Sequence, residues 1–501
     1  MIVILSVAGR YILTVSLTVS LVFFAISGFA ATYYINPTGN DVLGTGNIGN
    51  PWKTLFFATQ NVTTIGDIIH VTAGNYTETQ TCNLAIGVSI EGDGIVSTIV
   101  KSSTIGLYSA FLTLESAVNG TAGNQSISNI TFDGQYVSET NYKTWMGIWV
   151  VARNNVEIHH TKIINFYNSA VIFDGNTVTD PTTEPFYATG NSFHDCIALN
   201  SARIFGTSGS GILAIGGQNG MQIHHNTIIQ DQRPNFRNGW PIKLWDNGWL
   251  KGCRINNNIL TKAPYVGSYP GENGDWDFAI EFFNIRGLEI DNNTIQGSID
   301  LNYNYKGTYA YSAWIHHNNI THAVQNTRAE SAIILEFRTE SILIENNIIN
   351  NKSVGIIYTT RGVGNDGGYP APGGQPAGGY SYLVDNVIRN NLFSNMYAGT
   401  GVASRFGIGV ISEGTDDPQI SNMQIYNNTI VAKPGDPSWV GLDFSSQSNG
   451  NATGMHIRNN IVTGFSGPWI QGTSGTGNTN INGMTLTHND LFNNGNGNAP
   501  S

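Results

Sequence analysis

Charge is what this chain has least of. Only 11% of its 501 residues are Asp, Glu, Lys or Arg, less than half the usual share of about 25%. With hydrophobics at 40%, the chain can still bury a core, so it is not a disordered tail. Its surface must instead be polar and uncharged, made of Asn, Thr, Ser and Tyr. Basic stripes are missing too. The net charge is −11, which excludes nucleic acid as a partner class. It also gives acidic polysaccharides no long-range attraction; their binding would need local Arg, Lys or a cation. Cysteine is scarce: Cys82, Cys196 and Cys253 are too few and too spread for a disulfide scaffold or a cysteine zinc site, and read as small buried residues. A single bridge between Cys196 and Cys253 stays open. No segment holds a 3.6-residue apolar period, which excludes helical repeats.

One long apolar run exists, at the start. Arg10 precedes an uncharged stretch from Tyr11 to Ala30, and Gly28 and Ala30 stand at the small positions of a cleavage site before Ala31. Residues 1–30 therefore read as a signal peptide, with an uncleaved anchor as the alternative. Residues 31–501 are expected outside the cytoplasm, secreted or at the cell surface.

The mature part is organised by a short pattern: apolar, variable, Asn or His, usually Asn, variable, apolar. Copies begin at Ile158, Ile223, Ile255, Ile290, Ile315, Ile344, Val384, Ile425, Ile457 and Leu486. The 65-residue first step leaves room for one more copy near Phe193. Irregular repeats of this length, rich in β-branched residues, Gly and Asn, indicate a solenoid of short strands. The class is all-β, a right-handed parallel β-helix, with coils stacked at about 4.8 Å. The third position of every copy is Asn or His, from His160 to His488, and is expected to form a side-chain ladder at one turn. The paired histidines suggest a metal, but His225 and His317 lie three coils apart and cannot share an ion.

The N-terminal segment differs. Tyr33–Asn40 reads as a first strand, and residues 51–60 (PWKTLFFATQ) as a short helix capping the open end of the solenoid. Together with the Asn-Asn repeats, INPTGND (35–41), NPWKTLFFA (50–58), GDIIHVTAGNY (66–76) and VSIEGDG (88–94) resemble the secreted right-handed β-helix proteins of the pectate-lyase-like superfamily. The resemblance covers the whole mature chain and implies a carbohydrate-active protein. It carries over no catalytic residue: the Asp-pair, His-Gly and Arg-x-Lys set of polygalacturonases, the DPHD motif of alginate epimerases and the calcium-site pattern of the major pectate lyases are all absent. The end, THNDLFNNGNGNAPS, looks like the start of a closing coil, so a truncated C-terminal edge is expected.

Alternation locates the scarce charges. Ile242–Asp246 aligns over Ile280–Asn284, then Ile299–Tyr303, then Leu335–Thr339. The second and fourth residues of each point outward. One column then reads Lys243, Glu281, Asp300, Glu336, and its neighbour Trp245, Phe283, Asn302, Arg338. Flanking coils put Trp149 and Val151, Leu213 and Ile215, Ile357 and Thr359, and Gly409 and Ile411 on this track.

Carboxylates one or two coils apart, at about 5 or 10 Å, bracket the separations glycosidases use. Asp300, between two Glu, is the expected acid. A lyase would instead use Lys243 or Arg338 as base, with carboxylates holding Ca²⁺, the one cofactor the pattern admits. Trp240, Trp245, Trp276 and Phe283 are candidate sugar platforms. Loops 245–252 and 269–277 form the walls and add Asp246, Glu272, Asp275 and Asp277. The Gly/Pro-rich 364–380 reads as a connector, and 413–419 (EGTDDPQ) as a turn that could take Ca²⁺. A surface ladder of salt bridges is the plain alternative for the charged columns. The functional expectation is a polysaccharide-cleaving enzyme, hydrolase or lyase, acting as a monomer. A glycan-binding adhesive solenoid is the alternative. An ice-binding array is disfavoured, because no regular Thr-x-Thr repeat appears.

Overall fold

The computed structural model of the chain describes residues 30–103, 106–137, 144–175, 186–202, 211–230, 239–246, 248–262, 278–321, 331–361, 382–399, 405–413, 419–446, 451–471 and 484–495. Trp276, Asp277, Glu272, Asp275, the 364–380 stretch, most of 413–419 and the first 29 residues lie outside these. Among the described residues no helix is long and apolar enough to cross a membrane.

Each repeat begins with an apolar residue because that residue points into the solenoid. Ile158 pairs with Phe193, and the column continues through Ile223, Ile255, Ile290, Ile315, Ile344, Ile388, Ile425, Ile457 and Leu486. The extra copy at Phe193 is therefore real. The copy expected at Val384 is not: Val384 pairs with Glu340 on another face, and Ile388 takes its place. The sequence VDNV mimics the motif, while the stacked repeat is IRNNLF.

Three parallel ribbons result. Sheet I has 15 strands, from Thr32–Ile35 to Met484–Thr487, and sheet III has 14, from Gly74–Glu78 to Asp490–Phe492. Sheet II runs from Cys82–Asn83 to Ile470–Gln471. It turns a corner, so that long strands such as Phe278–Arg286 pair with both Trp240–Leu244 and Leu250–Lys251. The protein is a right-handed parallel β-helix. Stacked Ile, Leu, Val and Phe fill its interior along the whole length.

The turn between sheets I and III explains the Asn-Asn motif, and corrects the expected ladder. The third position is not the ladder. It is the residue that reverses the chain, and it adopts left-handed φ: 49° at His160, 55° at His225, 56° at Asn257 and 55° at Asn346. Asn and His tolerate that region better than most side chains. The ladder belongs to the fourth position. Asn226, Asn258, Asn293, Asn318, Asn347, Asn391, Asn428 and Asn460 are buried, and each donates Nδ2 to the Oδ1 of the next at 2.9–3.0 Å, ending on Asn489. Asn386, counted with the third position, lies outside this turn. Replacing Asn346 by Gly should leave stability nearly unchanged, whereas Asn346→Val should cost about 1–2 kcal/mol, because only the second forces a β-branched residue into left-handed φ. Urea unfolding of the two variants checks this.

The capping helix spans Leu55–Asn61 and starts later than expected. Pro51 is not its first residue. Thr54 is the N-cap and accepts from Phe57 N, while the buried Glu78 carboxylate accepts from Leu55 N at 2.7 Å and Phe56 N at 3.2 Å. These acceptors satisfy donors that a helix start leaves open. Leu55 and Ala58 close the end of the core.

All three cysteines are buried and free, so no Cys196–Cys253 bridge forms. Burial pushes the Cys196 and Cys253 thiols up to about 12. A thiol reagent at pH 8 should therefore label none of the three in the native protein and all three after unfolding; mass spectrometry counts the adducts.

Candidate functional site

The charges gather on the outer face of sheet II. Strand pairing defines the first column as Trp149, Ile172, Ala214, Lys243, Glu281, Asp300, Ile334, Ile357, Gly409 and Asp443. The second holds Val151, Asp174 and Gly216, and resumes at Phe283, Asn302, Glu336, Thr359 and Ile411. Lys243, Glu281 and Asp300 thus stack on consecutive coils. Glu336 does not stand over Asp300 as the alternation suggested: it faces Asn302 in the second column, and Ile334 occupies the place above Asp300. Asp300 is therefore flanked by one Glu rather than two.

The misplacement has a physical cause. Ile334 points outward yet is apolar, because it packs with Trp240, Phe278, Val354 and Ile357 in a small cluster outside the main core. Alternation assigned the faces of SAIILEF correctly, Leu335 inward and Glu336 outward, but a shift of two residues keeps every face, and the strand sits with Leu335 over Leu301 rather than Ile299. In Gly211–Gly216, buried at every position, the phase itself is lost, and Ala214 rather than Leu213 proves to be the outward residue. Further along, the pairing slips between Asn302 and Asn304. Phe337 takes φ 63° and its ring stacks on Tyr303 at 4.6 Å. Arg338 thereby leaves the column, pairs with Glu340 at 3.3 Å, and lies over the Tyr305 ring.

Lys243 Nζ meets Glu281 Oε2 at 2.8 Å, with side chains only 13% and 9% exposed. The same ammonium lies 3.5 Å from the Trp240 ring centroid, a cation–π contact strengthened by desolvation. Trp240 is itself buried and stacks on Phe278, so it anchors the lysine and offers no open face to a sugar. Asp300 is 2% exposed, and the Asn302 amide reaches its Oδ2 at 3.4 Å. Glu336 is half-buried. On either side of it in the column, Asn302 Oδ1 and Thr359 Oγ1 are buried with no hydrogen-bond partner among the described residues. Buried polar atoms of this kind are uncommon and point to a ligand or water.

Phe283 and Trp245 are half-buried and Asp246 is exposed at the turn that follows. Trp245 Nε1 donates to Asp174 Oδ2 at 3.0 Å. Asp174 was not anticipated. It pairs with Gly216, whose missing side chain leaves room for the indole to reach across. The signal was present in VIFDG, a strand ending in a lone carboxylate, and it becomes readable once Gly216 is placed beside it.

No family model matches the chain, and no curated protein matches its sequence. Solved structures similar to it include the pre-mature bacteriophage phi29 gene product 12, at 13% identity and a TM-score of 0.48, covering 80% of this chain and 52% of that one. The catalytic unit of the thermostable GH87 alpha-1,3-glucanase from Streptomyces thermodiastaticus strain HF3-3 is 12% identical, with a TM-score of 0.45, over 93% and 69%. The Dettilon tailspike protein is 12% identical, with a TM-score of 0.43, over 85% and 62%, so the chain spans about three fifths of that protein's length. At these identities the likeness concerns the fold, and the fold itself rests on the parallel ribbons.

Proposed function

We propose that this protein is a secreted, carbohydrate-active β-helix that hydrolyses a polysaccharide on the outer face of sheet II. One observation carries the reading. In a chain with 11% charged residues, three carboxylates converge on three consecutive coils, beside buried polar atoms of Asn302 and Thr359 that await a partner. Asp300 and Glu336 are one coil and two residues apart, roughly 8 Å between Cα atoms on standard strand spacings. Their side chains leave one face of the sheet from neighbouring coils, a placement compatible with the carboxyl separation of about 6.5–9.5 Å that inverting glycosidases use.

Asp300, nearly buried beside Glu281, acts as the acid that protonates the glycosidic oxygen. Glu336, at the open side, acts as the base that takes a proton from the attacking water. Phe283 and Trp245 stack on sugar rings. Lys243 holds Glu281, so Glu281 is a charge partner rather than the acid.

The lyase alternative is weaker on the same geometry. Its two candidate bases are both engaged, Lys243 with Glu281 and Arg338 with Glu340. A non-catalytic glycan binder is the second reading, favoured by the low exposure of Glu281 and Asp300.

The test is incubation of the mature, monomeric protein with neutral and acidic polysaccharides, following reducing ends and the ultraviolet band of unsaturated uronates together. Reducing ends alone support the hydrolase. The band would replace it with a lyase. Glycan binding with neither signal would leave the binder and end the catalytic reading.

A further inference from the structure

The outer face of sheet I carries a second cluster of a different chemistry. Three consecutive coils place His159, His194 and His224 in one column. The turn beside them brings His160, Asp195 and His225 into left-handed φ on the same coils. Five of the 11 histidines of the chain thus surround one aspartate. The rings of His159 and His194 stack at 5.3 Å and 7°, and those of His194 and His224 at 4.7 Å and 10°.

A purely structural role does not ask for this. The next coil fills the equivalent strand position with Asn256.

The atoms are arranged for a cation. One donor atom each from His194, Asp195 and His224 lies within 4.8 Å of the others. His194 Nδ1 faces Asp195 Oδ2 at 2.8 Å, and its other nitrogen, Nε2, meets Glu157 Oε1 at 2.7 Å. A carboxylate on the far nitrogen is the partner that fixes a ligating histidine's tautomer and raises its basicity. Zinc–ligand bonds of about 2.0–2.2 Å require donors roughly 3.3 Å apart. Binding therefore draws the three donors inward from their present span of up to 4.8 Å.

A comparable group further along, Glu289, Asp291 and His316, shows the contrast. There Arg254 clamps Asp291 with two bonds of 2.8 Å and reaches Glu289 at 3.4 Å. The cation is already supplied by the chain itself.

We propose that His194 through Nδ1, Asp195 and His224 bind one divalent transition cation of the zinc class, with Glu157 orienting His194, and that the ion clips two adjacent coils together. Two imidazoles and one carboxylate select Zn²⁺, Co²⁺, Ni²⁺ or Cu²⁺ over the hard cations Ca²⁺ and Mg²⁺. The site lies on sheet I, away from the sheet II face, and does not depend on the hydrolase reading.

The test is calorimetric titration of the untagged, chelator-stripped full chain with ZnCl₂ alone, repeated with CoCl₂ while recording its visible spectrum. One zinc per chain is expected, with cobalt giving the intense bands of a tetrahedral site. His194→Asn and His224→Asn, which copy the residue of the next coil, should each weaken zinc by about 100-fold or more. Glu157→Gln, which removes no ligand, should weaken it by about 10–100-fold. Glu289→Gln should change nothing. Should either histidine variant fail to fold, Glu157→Gln decides. Absence of saturable zinc binding by the wild type, or binding undiminished in His194→Asn or in Glu157→Gln, overturns the proposal.

Discussion

On the proposed hydrolase reading, Asp300→Asn and Glu336→Gln should each lower the rate of polysaccharide cleavage by about 10²–10⁴-fold, the contribution of a positioned acid or base, while glycan affinity changes only a few-fold. The sizes follow from position. Asp300 is covered by its surroundings and touches Asn302, so an amide in its place preserves shape and removes the transferable proton. Glu336 lies between Asn302 and Thr359 in its column, and Gln there keeps a polar group while losing the base. Lys243→Arg separates chemistry from structure, since the cation beside Glu281 is kept. It should leave most activity in place if Lys243 is a charge partner, and abolish activity if Lys243 is itself the base. Initial rates on the best substrate of the panel, with affinity measured separately, give both readouts. Unchanged rates in Asp300→Asn and Glu336→Gln would remove the site from sheet II.

Asn318→Leu costs about 3–5 kcal/mol. Asn318 is buried. Its Nδ2 donates to Ile290 O, His316 O and Asn347 Oδ1, and its Oδ1 accepts from both N and Nδ2 of Asn293. Leucine removes the acceptor of the buried Asn293 N–H and one of the two acceptors of Asn293 Nδ2, which keeps Ile255 O, and it takes a donor from Ile290 O, His316 O and Asn347 Oδ1, at about 1–3 kcal/mol for each buried group left unpaired. The bonds also polarise one another along the ladder, so an internal break costs more than its share. Asn489 provides the comparison. It is half-buried at the end of the ladder and accepts only from Asn460, so Asn489→Leu should cost about 1–2 kcal/mol. Chemical denaturation of both variants, read by circular dichroism, compares them; equal losses would mean that the ladder is not cooperative.

Much of the fold was legible because a solenoid repeats its physics. An apolar residue enters the core once per coil, and a left-handed turn follows it, so Ile158, Ile223, Ile255 and their successors announce themselves in the sequence. The roles inside the motif were harder to read. Asn in the third and fourth positions look alike in one dimension. Only the backbone shows that one of them turns the chain and the other bonds along the solenoid axis. Val384 illustrates the limit from the other side: VDNV satisfies the pattern by composition, yet its strand pairs on a different face.

The sequence by itself determined the coil repeat, the solenoid class and the burial of the three cysteines, while Asp174 and Asp443 extend the charged track beyond the four coils it singled out. Local chemistry decides the repeat, the class and the burial, through apolar alternation and turn residues. Alternation already stacked Lys243, Glu281 and Asp300, but the tertiary structure alone decided where Glu336 and Arg338 fall. Alternation assigns faces, but a slip of two residues keeps every face and changes every neighbour, so the register of Ser331–Glu340 is set by packing against neighbouring coils; in Gly211–Gly216, buried throughout, even the phase is lost. That packing put Ile334 above Asp300, moved Glu336 beside Asn302, and carried Arg338 out of the column. The stacking of His194 on His224 follows from the repeat, since each comes after the core residue of adjacent copies, but only the structure shows Asp195 turned towards them.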